Sequence, residues 1–155
     1  MGLQFVQFEA VGAPGVGSAT LAPGVGMGEA AYVAPLRGMI LLLVEDHEDA
    51  RDLFQSMLEY GGAHVIAAAT VDEALELTSG MRVDVVVTDI GLRPKPGTWF
   101  VEEGRHWPRL RGVPVVAVTG RDIPTSLRAT FDAVVDKPVD ADVLTRAILR
   151  VSRRR

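Results

Sequence analysis

Five side chains in this chain are of the types that handle a hard metal ion and a phosphate: Glu45, Asp46, Asp89, Thr119 and Lys137. Each follows a run of strand-forming residues. "MILLLVED" delivers Glu45 and Asp46, "VDVVVTD" delivers Asp89, "VPVVAVTG" delivers Thr119 and Gly120, and "FDAVVDK" delivers Lys137 just before Pro138. If those strands lie parallel in one sheet, all five residues reach one rim. Two or three carboxylates brought together repel each other strongly unless a cation joins them. Hard oxygen ligands without Cys or a His cluster suit Mg²⁺, which keeps waters and accepts a phosphate oxygen as a further ligand. Lys137 adds a compact positive charge suited to a phosphoryl group. Thr119 offers a hydroxyl, and Gly120 lets a backbone N–H approach an anion. Singly, each has a plainer reading: Asp46 and Asp89 as turn residues closing a strand, Lys137 as a solvated charge. The conjunction is what argues for chemistry.

The elements that must position these residues follow from apolar periodicity. "MILLLV" is a short continuous apolar run, as in a strand buried on both faces. In "DARDLFQSMLEYGG", Ala50, Leu53, Phe54, Met57 and Leu58 recur at helical spacing, and Gly61 and Gly62 end the helix. "AHVIAA" is a second strand. "TVDE" at 70–73 is a capping box that opens a helix ending near Gly80. "VDVVVTD" is the third strand, "GTWFVEEGRHW" a third helix weakened by Gly104, and "VPVVAVTG" the fourth strand. "TSLRAT" is a short helix and "FDAVVDK" the fifth strand. Asp140 caps a last helix with Val143, Leu144, Ala147, Ile148 and Val151 on one face. Strands alternating with helices predict a doubly wound α/β fold, a parallel sheet with helices on both faces. In such folds ligands sit at the carboxyl ends of the strands, near the point where strand order reverses.

Composition sets the class. A chain of 155 residues that is 48% hydrophobic can bury one core. A net charge of −4 gives no global attraction to nucleic acid or to an acidic membrane surface. Cysteine is absent, which excludes disulfides and thiolate metal sites. No apolar run approaches the roughly 18 residues that span a bilayer, and the N-terminus has no basic stretch ahead of an apolar one, so a secretory signal is not expected. These features lead us to expect a cytoplasmic protein. Residues 1–38 differ from the rest: they are dense in Gly, Ala and Pro, carry "APGVG" twice, and hold only Glu9, Glu29 and Arg37 as charges. They are expected to be a flexible extension. Translation starting at Met39 is an alternative, and Phe5, Phe8 and Tyr32 would be the anchors of a docking tail. Three arginines, 153–155, form a basic tail.

Across residues 39–152 the chain resembles the receiver domain of bacterial two-component response regulators, with its five-stranded, flavodoxin-like sheet of order 2-1-3-4-5. The matching pieces are "LLLVEDHEDARDLF", "DVVVTDIGL", "VPVVAVTG" and "VVDKPVD". The resemblance implies that Asp89 accepts a phosphoryl group from a phosphohistidine on a sensor histidine kinase or phosphotransfer protein. It implies that Glu45, Asp46, Asp89 and the backbone carbonyl of Gly91 hold Mg²⁺, and that Thr119 and Lys137 contact the phosphoryl oxygens. The domain would be a phosphoacceptor rather than an enzyme, controlling a downstream protein. With few residues after the last helix, a stand-alone receiver is expected.

Three departures from the family pattern stand out. Arg93 occupies the position four after Asp89 that is usually Pro, and with Lys95 it adds two positive charges to the loop; either could attract an anionic donor or select the kinase. The segment between Thr119 and Lys137 is about four residues short, which should shrink the fourth helix. Val134 stands where an aromatic ring usually moves with the Thr, so the output surface is expected to differ. Rival readings are a degenerate receiver acting as an unphosphorylated scaffold, a Mg²⁺-dependent aspartyl-phosphate hydrolase, and a nucleotide- or flavin-binding module. The hydrolase would want an acid at Gly91, and "VEDHED" would repel a bare phosphate. His47, His64 and His106 show no metal-ligand spacing. Trp99 and Trp107 are expected to pack the third helix.

Overall fold

A computed structural model describes residues 32–153. Side chains alternate across a strand, so a strand covered on both faces must be apolar at every position. In the first strand, β1 (Ile40–Val44), Leu41 and Leu43 face one core and Leu42 and Val44 the other. The same division runs through β3 (Val85–Asp89) and β4 (Val115–Thr119), where Val85, Val87, Val116 and Val118 join the first core and Val86, Val115 and Ala117 the second. With β2 (His64–Ala68) and β5 (Ala133–Asp136) these form one parallel sheet of order β2-β1-β3-β4-β5. This is the order and topology expected from sequence.

Helices α1 (Glu48–Tyr60) and α5 (Ala141–Ser152) cover the first core with Phe54, Leu58, Leu144, Ile148 and Val151. Two residues expected on those buried faces lie outside them: Leu53 is 53% exposed and Val143 is 44% exposed. Each sits at the margin of its stripe, where a helix on a flat sheet leaves one edge in water. The second core is closed by α2 (Val71–Leu77) through Val71 and Ala74, and by Phe100, Leu110 and Phe131. Half of the capping box at α2 forms: Thr70 Oγ1 accepts from Glu73 N at 3.1 Å, while Glu73 Oε2 accepts from Ala69 N, one residue before the N-cap, at 2.7 Å. At α5, Asp140 Oδ1 accepts from Asp142 N and Val143 N at 2.9 and 3.0 Å.

The third helix is shorter than expected. α3 covers only Trp99–Glu102, and a 3-10 turn follows at Gly104–His106. Gly104 lies against the Trp99 ring, where a Cβ would come within 3.1 Å of it. Trp99 packs edge-on to Phe100 and Trp107, but Trp107 is 46% exposed and so is only half a packing residue. α4 is a single turn, Thr125–Arg128, as its short connection demanded.

The N-terminal boundary moves. Residues 33–38 are not part of a free extension: they belong to the same compact unit as the sheet. Leu36 is fully buried in the first core, and its N–H donates to Gly61 O at 2.8 Å. Gly62, at φ +93°, packs so closely that a Cβ would lie 2.6 Å from Ala34 Cβ. A chain starting at Met39 would lack these contacts. The expectations for residues 1–31, including Phe5 and Phe8, and for Arg154 and Arg155 fall outside the described residues.

Candidate functional site

The parallel register brings the carboxyl ends of β1, β3, β4 and β5 to one rim. Val44 stands beside Thr88, Asp89 beside Val118, and Thr119 beside Asp136. The residue that follows each strand, or ends it, therefore faces one cleft of about 1000 Å³. That cleft is lined by Glu45, Asp46, Asp89, Gly91, Thr119 and Lys137, all six residues singled out from sequence.

Glu45, Asp46 and Asp89 each offer a carboxylate oxygen, and the three lie within 4.8 Å of one another. Among the described residues no other group of this kind occurs, and the three histidines do not join it. Glu45 is only 2% exposed, a costly place for a charge unless it is paired. Its partner is Lys137, whose Nζ lies 3.0 Å from Glu45 Oε2 and 3.3 Å from Asp89 Oδ1. Burial pushes the Lys137 ammonium's pKa down, but the hydrogen bond to Glu45 and the charges of Asp89 and Glu45 outweigh it, and the pKa ends raised. Lys137 thus stays charged through the neutral range, and its Nζ lies 5.7 Å from the Phe54 ring centroid, a cation–π contact with α1.

Lys137 neutralises one negative charge of three, so the trio keeps a deficit of positive charge. An all-oxygen donor set with an exposed member, Asp46, suits a hydrated Mg²⁺. The backbone at Gly91 is near enough to take part: a Cβ there would sit 3.2 Å from Asp89 Oδ2. These residues fit the ion that the sequence reading implied.

Thr119 is buried and engaged. Its hydroxyl donates to Arg121 O at 3.3 Å and accepts from Arg121 N at 3.1 Å. Gly120 lies under the Lys137 side chain, where a Cβ would be 3.6 Å from Lys137 Cδ. Val134 is half-buried against the second core.

The loop after β3 separates the two cations that sequence could not tell apart. Lys95 pairs with Asp72 at the start of α2 and lies 5.9 Å from the Trp99 ring centroid. Arg93 instead lines the cleft. Sequence reasoning missed two more residues. Arg121 lines the cleft beside Thr119, and its position two residues after Thr119 was the available signal. Arg51 donates from Nη1 to Glu45 O at 3.0 Å, tying α1 to the end of β1. No pattern marked it, because it is one charge among many on that helix.

A doubly wound parallel sheet carrying three clustered carboxylates and a lysine at its carboxyl rim defines an α/β domain with an acidic, metal-competent site. Residues 41–149 match the family model of the response regulator receiver domain, and the chain belongs to that family of two-component signalling domains. Over 117 residues it is 32% identical to an uncharacterised 14.6 kDa protein of Leptolyngbya boryana, covering 73% of this chain and 89% of that one. Over 119 residues it is 31% identical to the KDP operon transcriptional regulatory protein KdpE of Escherichia coli, covering 74% of this chain but 51% of that one. A chemotaxis response regulator of Vibrio cholerae superposes with a TM-score of 0.66 at 25% identity, covering 73% of this chain and 98% of its own. Receiver domains generally bind Mg²⁺ through acidic residues and interact with histidine kinases or phosphotransfer proteins. No described helix is long and apolar enough to cross a membrane.

Proposed function

We propose that this protein is a phosphoacceptor: Asp89 takes one phosphoryl group from a phosphohistidine of a sensor kinase or phosphotransfer protein, and the modified rim controls a downstream partner. The observation that carries this is Lys137 bridging Glu45 and Asp89 inside a trio of carboxylates within 4.8 Å. A structural salt bridge needs one carboxylate, and here two further acids crowd it.

In the transfer, a carboxylate oxygen of Asp89 forms a P–O bond as the donor's P–N bond breaks, and the imidazole nitrogen keeps the bonding pair. A carboxylate approaching an anionic phosphorus is opposed by charge, so catalysis is mainly positioning and neutralisation. Glu45, Asp46, Asp89 and the Gly91 carbonyl would hold Mg²⁺, which supplies that neutralisation when bound. Lys137, already 3.3 Å from Asp89 Oδ1, takes up a phosphoryl oxygen. Each molecule accepts one group, so the role is that of a regulator and not of an enzyme that turns over free substrate.

The switch follows from proton counting. The Thr119 hydroxyl has one proton, now donated to Arg121 O. Donating it to a phosphoryl oxygen breaks that bond and loosens the loop after β4, which then keeps only the Arg121 N–H bond to the hydroxyl oxygen. With Val134 in place of a large ring, the signal leaves through this loop rather than through a moving aromatic side chain.

The test is incubation with Mg²⁺ and acetyl phosphate, followed by intact mass. One phosphoryl group, acid-stable, base-labile and lost in Asp89→Asn, is the expected result. No adduct with any donor, or an adduct that persists in Asp89→Asn, overturns the proposal.

A further inference from the structure

The geometry points to a second anion subsite at the mouth of the cleft, formed by Arg93 and Arg121, which holds the oxyanion of an incoming phosphoryl donor before transfer. This rests on the phosphoacceptor reading above and adds the residues that capture the donor.

Arg93 and Arg121 leave the sheet from neighbouring strands, β3 and β4, and line the same cleft as Asp89 and Lys137. Both are exposed, and neither guanidinium has a hydrogen bond or ion pair to any described residue. Elsewhere in the same region the cations are spoken for. Lys95 pairs with Asp72, Lys137 with Glu45 and Asp89, Arg128 with Asp136 at 2.6 Å, and Arg51 bonds Glu45 O. Two free guanidiniums beside a nucleophile are therefore a local exception.

Their backbones are also held. Leu92 is buried at 3% exposure beside Arg93, and Gly97 N donates to Ile90 O at 3.0 Å. Gly97 lies so close to the Asp89 backbone that a Cβ there would fall 2.1 Å from Asp89 O. With Lys95 fixed on α2, the loop is anchored on both sides of Arg93. Arg121 is anchored by its two bonds to the Thr119 hydroxyl. Fixed backbones carrying unpaired planar forks suit bidentate binding of phosphoryl oxygens, at lower ordering cost than free side chains.

Charge supports the assignment. Without the two arginines, Glu45, Asp46, Asp89 and Asp122 stand against Lys137 alone, a net −3 that a bound Mg²⁺ would bring only to −1; Arg93 and Arg121 turn the metal-bearing cleft net positive toward an anionic donor. They act on capture, since the transferring group is already met by Lys137.

The experiment measures the rate of adduct formation on the full chain against acetyl phosphate concentration in Mg²⁺, for the wild type and for Arg93→Ala, Arg121→Ala, Arg93→Lys and the remote control Arg111→Ala. Each cleft alanine variant should raise the half-saturating concentration roughly tenfold, with the maximal rate within about twofold. Arg93→Lys should recover part of the loss, and Arg111→Ala should match the wild type. Added salt should weaken capture by the wild type more than by the variants. In parallel, inorganic phosphate binding, followed by phosphorus NMR, should weaken in both alanine variants. Unchanged half-saturation and unchanged phosphate binding in both overturn the subsite, as does a loss confined to the maximal rate. A wild type that forms no adduct fails the phosphoacceptor reading instead, and phosphate binding then decides the subsite alone.

Discussion

Replacing Asp46 with Asn should make the metal-free protein more stable, the reverse of what most substitutions do. Asp46 is exposed and has no ion pair to any described residue, yet its carboxylate belongs to a trio within 4.8 Å. It faces Glu45 and Asp89, and the Lys137 charge cancels one of these two, leaving one uncompensated repulsion. At 4.8 Å, two unit charges repel by about 0.9 kcal/mol in water and about 3.5 kcal/mol at an effective permittivity of 20. Because Asp46 sits at the wet end, the lower figure applies, and Asp46→Asn should gain about 1 kcal/mol in EDTA. Urea unfolding would show this as a higher midpoint at unchanged slope. Mg²⁺ should reverse the order. At a hundred times its dissociation constant the ion adds about 2.7 kcal/mol to the wild type, and the variant, one ligand short, should gain less than half of that. An Asp46→Asn protein that is less stable than the wild type in EDTA, or that gains as much from Mg²⁺, would refute the account of the trio.

Lys137→Met leaves the buried Glu45 with only its hydrogen bond from His47 N and no ion pair, and, discounted for the 29% exposure of Lys137, should cost about 1–3 kcal/mol. The same variant should bind Mg²⁺ more tightly while forming adduct far more slowly, and calorimetry showing weaker Mg²⁺ binding would contradict this. Leu36→Ala should lose about 3 kcal/mol by denaturant titration, as expected of a fully buried leucine; a loss under about 0.5 kcal/mol would return residues 33–38 to the status of a loose extension. Gly97→Ala forces the loop away from Asp89 O, so it should cost about 2 kcal/mol and slow adduct formation. Wild-type values in both assays would show that the close approach is not maintained in solution.

Much of the site was legible because its residues lie at strand ends, and strands in a sheet covered on both faces announce themselves as unbroken apolar runs. The capping residues Thr70 and Asp140 were equally plain, since a cap is a local bond between near neighbours. Boundaries failed where tertiary packing overrode the pattern. α3 stops where Gly104 meets the Trp99 ring, and Leu53 and Val143 stand at stripe margins that only the neighbouring sheet could define. Leu36 looked like part of a Gly- and Pro-rich tail because one buried leucine leaves no periodicity.

By itself the sequence determined the order of elements, the parallel sheet and the identity of the acids, hydroxyl and lysine at its rim. Those depend on apolar period and on local bonding, which a linear chain displays. Only the tertiary structure decided how the charges pair. Lys137 meets Glu45 across 92 residues, Lys95 is drawn away to Asp72, and Arg93 and Arg121 are left unpaired over the cleft. The reason is physical: a side chain's partner is set by distances between strands and loops that sequence separation does not encode.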